Sequence, residues 1–175
     1  FGAKYHHTMN IRPCKGKKRL AIANFSRYPI MVFIVRMQRR GFTMTEYRLA
    51  RPQEEADVLD FINMVFSMHS QPHDFAALLP KVYAHPGFAR YHYVAVEDGH
   101  IRGTVALLPL TLRVEENCAL KAGYIGSVAV HPYSRGAGHM KALMRMALTD
   151  AEAQGYDLLA LGGRRQRYAY FGFEK

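Results

Sequence analysis

Residues 127–140, Ser-Val-Ala-Val-His-Pro-Tyr-Ser-Arg-Gly-Ala-Gly-His-Met, constrain the fold more than any other part of the chain. An apolar strand, placed at about 122–131, runs into a tight loop with two glycines and one arginine. The loop runs directly into an amphipathic helix, placed at about 136–154. Met140, Leu143, Met144, Ala147, Leu148 and Ala151 form one apolar stripe along that helix. Tyr156-Asp-Leu-Leu-Ala-Leu161 follows between Gly155 and Gly162, as expected of a buried strand parallel to its predecessor. Strand, crossover helix and strand make a βαβ unit of about forty residues. Its loop gathers free backbone N–H groups and the positive end of a helix dipole around one point, which suits a phosphate-bearing cofactor.

Upstream, Tyr47-Arg-Leu-Ala50 is a short strand candidate, and Pro52 sits well for a helix start. Val58, Phe61, Ile62, Val65 and Phe66 recur with helical spacing. A weaker helix is expected over 73–84, between Pro72 and Pro86. Arg90–Glu97 reads as a strand, Asp98-Gly99 as a tight hairpin turn, and Ile101 to about Val114 as the partner strand. A loop is expected over 115–120. No internal repeat or low-complexity segment is visible. The order of elements gives a mixed α/β domain, and 175 residues is enough for one such domain with a real core.

The net charge of +10 raises the question of nucleic acid, and its distribution answers it. Residues 1–43 carry ten Lys or Arg and no Asp or Glu, so the remaining fourteen cations face all fourteen acidic residues over 44–175. A formally neutral folded unit lacks the basic face that a phosphate backbone needs. Only residues 1–43 could act as a basic arm. They read as a basic leader or tail, disordered or vestigial. Their longest apolar run, Pro29–Val35, is too short to span a bilayer. Cys14 and Cys118 share no C-x-x-C spacing, which leaves neither a disulfide framework nor a zinc site and makes a reducing cytoplasm the default. His69 and His73 stand four apart, but Pro72 between them interrupts any helix that would align them on a metal. No metal is expected.

Two phosphate-binding motifs can be tested on the loop. The P-loop pattern G-x-x-x-x-G-K-[ST] fails, and Gly136-Ala-Gly-His-Met-Lys lacks the third glycine of the dinucleotide fingerprint. What fits is V-x-P-x-x-[RQ]-x-x-G-x-[GA], met by Val130, Pro132, Arg135 and Gly138, with Met140 in place of the final Gly or Ala. This resembles the acetyl-CoA-binding motif of the GNAT superfamily of N-acetyltransferases. Downstream, Arg167-Tyr-Ala-Tyr-Phe-Gly-Phe173 is similar to the family's F-Y-x-x-x-G-F segment, with Arg167 departing from its first Phe. The resemblance covers about 45–175.

The resemblance implies a central mixed sheet flanked by helices, with acetyl-CoA in a cleft where the strands at 122–131 and 156–161 splay apart. The amides of Val128 and Val130, with Ala129 between them, would pair with the pantetheine arm and polarise the thioester carbonyl. The amides of Arg135, Gly136, Ala137, Gly138, His139 and Met140, with the Arg135 side chain, would hold the pyrophosphate. Met140 is expected to point away from that site. Tyr168 matches the family's acid, which protonates the departing thiolate. Its alternative is an aromatic packing beside Tyr170, Phe171 and Phe173.

No base stands out, because 122–127 holds no carboxylate. Glu97, Asp98, Glu115 and Glu116 are distant candidates, and His131 is better read as a locally bonded strand-end histidine. The basic segment 162–167 could attract the adenosine phosphate or an acidic substrate. The implied partners are acetyl-CoA and an amine acceptor, with neither nucleic acid nor membrane and with a homodimer allowed. A catalytically inactive acyl-CoA-binding module remains the alternative. The chain stops soon after the aromatic segment, so the domain over 44–175 is expected to lack terminal strands.

Overall fold

Five strands, interleaved with helices along the chain, build one sheet in the order β1-β2-β3-β4-β5. The structure is a computed structural model and describes residues 44–69, 71–115 and 118–174. The basic leader, Cys14 and Glu116 lie outside the described residues. The strands are β1 (Glu46–Leu49), β2 (His92–Glu97), β3 (His100–Glu115), β4 (Cys118–Val130) and β5 (Leu158–Leu161). The first four pair antiparallel, and β4 and β5 pair parallel across the predicted crossover. Asp98 and Gly99 both take left-handed backbone, φ 50° and 77°, the twist that a two-residue hairpin requires.

Helix α1 (Glu55–Ser67) follows a 3-10 turn at Pro52–Glu54 and buries Val58, Phe61, Ile62 and Val65, as the spacing predicts. Helix α4 (His139–Ala153) buries Leu143, Met144, Ala147 and Ala151. Among the described residues, no helix is long and apolar enough to cross a membrane.

Three expectations are corrected. The helix over 73–84 is two short ones, α2 (Phe75–Leu78) and α3 (Pro80–Tyr83). Pro80 has no N–H to donate and pushes Leu79 out of helical geometry, to φ −131°, ψ 61°. The loop expected over 115–120 is shorter, since Glu115 already pairs with Cys118. Finally, β5 is not a buried strand: Leu158 is 44% exposed, because β5 forms the sheet edge with β4 as its strand partner. After it come α5 (Arg165–Tyr168) and a 3-10 turn at Ala169–Phe171.

Apolar residues fill both faces of the sheet. On β2, Val94 and Val96 join α1, α2 and α3 in one cluster, while Tyr93 and Ala95 join α4 in another. Period-two alternation requires this division. On β4 the alternation breaks. Ile125 belongs to the α4 cluster and Ala129 to the α1 cluster, although both are odd-numbered. The cause is a β-bulge: Thr104 faces Ala129 and Ala106 faces Gly126, so Ser127 and Val128 stand against Val105 alone. Ser127 takes φ 47° to make it.

Candidate functional site

The parallel pairing ends at Ile125 with Leu161, whereas β3 accompanies β4 as far as Val130. Among the described residues, Gly126–Val130 therefore has a strand partner on one side only. The His131 N–H donates to the Arg102 C=O at 2.8 Å, on the β3 side. Alternation then turns the Val130 and Val128 N–H groups toward the open edge. By this alternation two donors beside the bulge face the side on which, among the described residues, β4 has no strand partner.

Beyond β4 the chain makes a 3-10 turn at Pro132–Ser134, with the His131 ring accepting from the Tyr133 N–H at 3.3 Å. His131 is thus bonded locally, and it lines neither cavity described below. The Arg135 N–H donates to the Pro132 C=O and the Ala137 N–H to the Ser134 C=O, both at 3.4 Å. Gly136 and Gly138 follow left-handed paths, φ 86° and 88°, which turn the chain into α4. The first-turn amides of α4, from His139 on, have no intrahelical acceptor. The His139 side chain is turned inward. It is 2% exposed, with Nδ1 3.0 Å from the Tyr47 hydroxyl and Nε2 3.3 Å from Glu97 Oε1, the latter without hydrogen-bond geometry.

These segments meet at a cavity of about 670 Å³. Val128, Ala129, Val130, Arg135, Gly136, Gly138, His139 and Met140 all line it, and Ala137 does not. Met140 also packs against the α4 core cluster, so its side chain is shared between core and wall. The C-terminal part of α1 supplies Val65 and Phe66 to the same cavity and the turn after it supplies His69, to whose Nε2 Arg135 donates at 3.4 Å. Arg135, Lys141 and Arg167 make the wall cationic. Lys141 lies 4.3 Å from the centre of the Tyr170 ring, and Arg145 donates to the Tyr170 hydroxyl at 3.2 Å. Hydrogen bonding to Lys141, then to Arg145, holds that phenol below its ordinary range.

A second cavity, of about 630 Å³, adjoins the first through Phe66, His69, Val128 and Arg167. Its wall carries Tyr83, Tyr124, Ser127, Arg164 and Tyr168. Tyr168 is 6% exposed and joins the α4 core cluster, so it is both packed and on the cavity wall. Gly163 lies against its ring: a Cβ there would come within 2.5 Å of Tyr168 Cε2. Among the described residues lining the two cavities there is no Asp or Glu.

Glu97 is engaged elsewhere, by Thr45 at 2.7 Å and by His139. Asp98 sits in the hairpin turn, and neither residue lines the cleft. His73 bonds the Gln71 C=O at 2.8 Å and stacks on Phe75, so it does not converge with His69. Among the described residues no group of three His, Cys, Asp or Glu could hold a metal. The Arg-x-x-Gly motif led to the first cavity. It gave no sign of Phe66, His69, Tyr83 and Tyr124, which reach the cleft from other elements, or of Ser127 at the bulge.

The family model described as acetyltransferase (GNAT) domain matches residues 46–175. Among solved structures, the chain is similar to a GNAT family acetyltransferase from Brucella melitensis in complex with acetyl-CoA. That match has 25% identity and TM-score 0.61, over 76% of this chain and 84% of the other. A predicted acetyltransferase with acetyl-CoA from Clostridium acetobutylicum matches at 18% identity and TM-score 0.61, over 75% and 91%. Glucosamine-6-phosphate N-acetyltransferase from Arabidopsis thaliana shares the fold at 16% identity and TM-score 0.52, over 75% and 92%. No curated protein matches the chain in sequence. Acetyl-CoA is the family's co-substrate, and the open β4 edge beside a cationic loop offers donors of the kind that it needs. On the family match across three quarters of its length, the chain belongs to the GNAT acetyltransferases.

Proposed function

We propose that the protein is an acetyl-CoA-dependent N-acetyltransferase acting on a primary amine of a small molecule or peptide. One observation carries this reading. The unpaired β4 edge and the N-terminus of α4 line one cavity, and Val128 joins it to a second cavity walled by Tyr168. In this reading the pantetheine arm runs along the Val128–Val130 edge, with the Val128 amide toward the thioester oxygen. The pyrophosphate lies over Gly136, Gly138, His139 and Met140, with Arg135 as counter-charge.

The acceptor enters through the second cavity as a neutral amine. Its nitrogen bonds to the carbonyl carbon, and the fixed amide dipole stabilises the oxyanion that forms. The C–S bond then breaks, Tyr168 gives its proton to the departing sulfur, and the amine proton leaves to water in the open cleft. Water afterwards returns a proton to Tyr168. The protein would work in the cytoplasm, beside its co-substrate.

The assay is thiol release from acetyl-CoA across a panel of primary amines. Amine-dependent release supports the enzyme. Saturable acetyl-CoA binding with no turnover on any amine identifies the second reading, an inactive acyl-CoA-binding module. That alternative is favoured by the lack of a carboxylate among the described residues of the cleft wall.

A further inference from the structure

We propose that the Ser127 hydroxyl is the hydrogen-bond acceptor for the N–H of the acceptor amine, and that Tyr83 and His92 set its direction. The inference rests on the N-acetyltransferase reading and adds to it the contact that selects and aims the nucleophile.

The polarity of this chain of groups follows from its inner end. His92 is wholly buried, and its Nδ1 lies 2.9 Å from the Phe88 C=O. A carbonyl can only accept, so Nδ1 carries the hydrogen. Burial lowers the imidazole pKa to about 4, so the ring is neutral near neutral pH and Nε2 presents a bare lone pair. The Tyr83 hydroxyl is 3.1 Å from that lone pair and also touches Ser127 Oγ. Tyr83 owns one proton and Nε2 has none, so Tyr83 donates to His92. Burial raises the phenol's pKa, which keeps it protonated. Ser127 must therefore donate to the Tyr83 oxygen. Its own proton is committed inward, and two lone pairs remain.

Those lone pairs belong to a residue on the wall of the second cavity, next in the chain to Val128. Ser127 is also a non-glycine residue in left-handed backbone, a conformation that persists where its surroundings over-determine it. An N–H donor placed there is held by Ser127 while the thioester carbonyl sits at the adjacent amide. A carboxylate or carbonyl at the same point would meet lone pairs only. The chain does not store the amine proton, because charging His92 is what burial opposes. Tyr83 and His92 are positioning residues, and only Ser127 touches substrate.

Three measurements test this. Long-range proton–nitrogen NMR on histidine-labelled protein should show His92 with hydrogen on Nδ1 and a bare Nε2; hydrogen on Nε2 overturns the assigned direction. With the best amine of the panel, Ser127→Ala should raise the amine KM about tenfold and leave the acetyl-CoA KM unchanged. Ser127→Gly, which suits the left-handed backbone, should do the same without loss of melting temperature. Tyr83→Phe should raise the amine KM several-fold alone and add nothing to Ser127→Ala. Additive effects, or lowered melting with an unchanged KM, would make Tyr83 merely structural and overturn the proposal.

Should the wild type turn over no amine, the N-acetyltransferase reading fails by itself. Titration with CoA present then decides the Ser127 claim. Butylamine should bind more tightly than butyltrimethylammonium, which has the same charge and no N–H, and Ser127→Ala should reduce that preference about tenfold. A preference equal in wild type and variant overturns the proposal.

Discussion

The cavity over the β4–α4 loop and the cavity beside it share Val128, but the chain builds them from different materials. The first is walled mainly by one continuous stretch, Val128–Met140, whose donors are backbone N–H groups. The second draws Tyr83 from α3, Leu108 from β3, Tyr124 and Ser127 from β4 and Tyr168 from α5, and its chemistry lies in their side chains. A backbone site depends on where the chain turns, so glycines and one proline specify it. A side-chain site depends on distant residues arriving together. The difference implies that substitutions should separate cleanly, moving cofactor affinity on one side and acceptor chemistry on the other.

The largest expected separation is at Tyr168. Its replacement by Phe should lower kcat by about 10²-fold or more if it is the general acid. The acetyl-CoA Kd should change less than about twofold, since ring and packing are retained. Isothermal titration beside steady-state kinetics gives both numbers. An unchanged kcat would leave Tyr168 as packing and erase the chemical distinction between the cavities.

The acceptor side should also be acid-sensitive through His92. His92 has a folded pKa of about 4 against its ordinary value of 6.5, because burial penalises its charged form. Above the unfolded value both states are neutral and nothing is lost. As pH falls from 6.5 toward 4 the unfolded chain takes up a proton that the folded one refuses, so stability falls. The loss reaches on the order of 3 kcal/mol by pH 4. Chemical denaturation at pH 7, 5.5 and 4.5, with His92→Gln flattening the slope, measures it. A slope unchanged in the variant would assign the acid loss to other groups.

How much of this was legible in the sequence follows the same division. The stripes on α1 and α4, the parallel β4–β5 pair and the glycine loop are local patterns, and each appears where its spacing places it. The break at Pro80 was legible too, since a proline inside a helical pattern ends it. The bulge was not, because Ser-Val-Ala-Val carries no mark of an inserted residue and the left-handed Ser127 is imposed by the strands around it. The Tyr83–Ser127 contact joins residues 44 apart through tertiary packing alone. The exposure of β5 depends on its place in the sheet, which an apolar run does not encode.

On the cofactor side, Gly138→Val should raise the acetyl-CoA Kd about tenfold or more. A Cβ at this position meets nothing within 4 Å, so the cost is not steric crowding. It lies in φ 88°, which costs an L-residue of order 1–2 kcal/mol and more when β-branched. The wall of Tyr83, Ser127 and Tyr168 is untouched, so kcat at saturating acetyl-CoA should stay within about threefold. Gly163→Ala is the mirror experiment. Its Cβ must displace the Tyr168 ring, so kcat should fall about tenfold while acetyl-CoA binding holds. If either variant moved both quantities equally, the two cavities would have to be treated as one.

Met140 gives the smallest effect and the finest test of the boundary. It stands where the family motif has Gly or Ala, yet it belongs to the α4 core cluster as well as to the cavity wall. If its thioether serves mainly the core, Met140→Ala should lower the melting temperature, at a cost of about 1–2 kcal/mol for a partly buried side chain. The acetyl-CoA Kd should then change less than about threefold, because the amide that would meet the pyrophosphate is retained. If the side chain instead crowds the pyrophosphate, removing it should tighten acetyl-CoA binding by more than that while melting hardly moves. The ratio of the two responses shows whether the motif's small residue is needed for the backbone's approach, or whether a larger one is tolerated once its side chain has somewhere to pack.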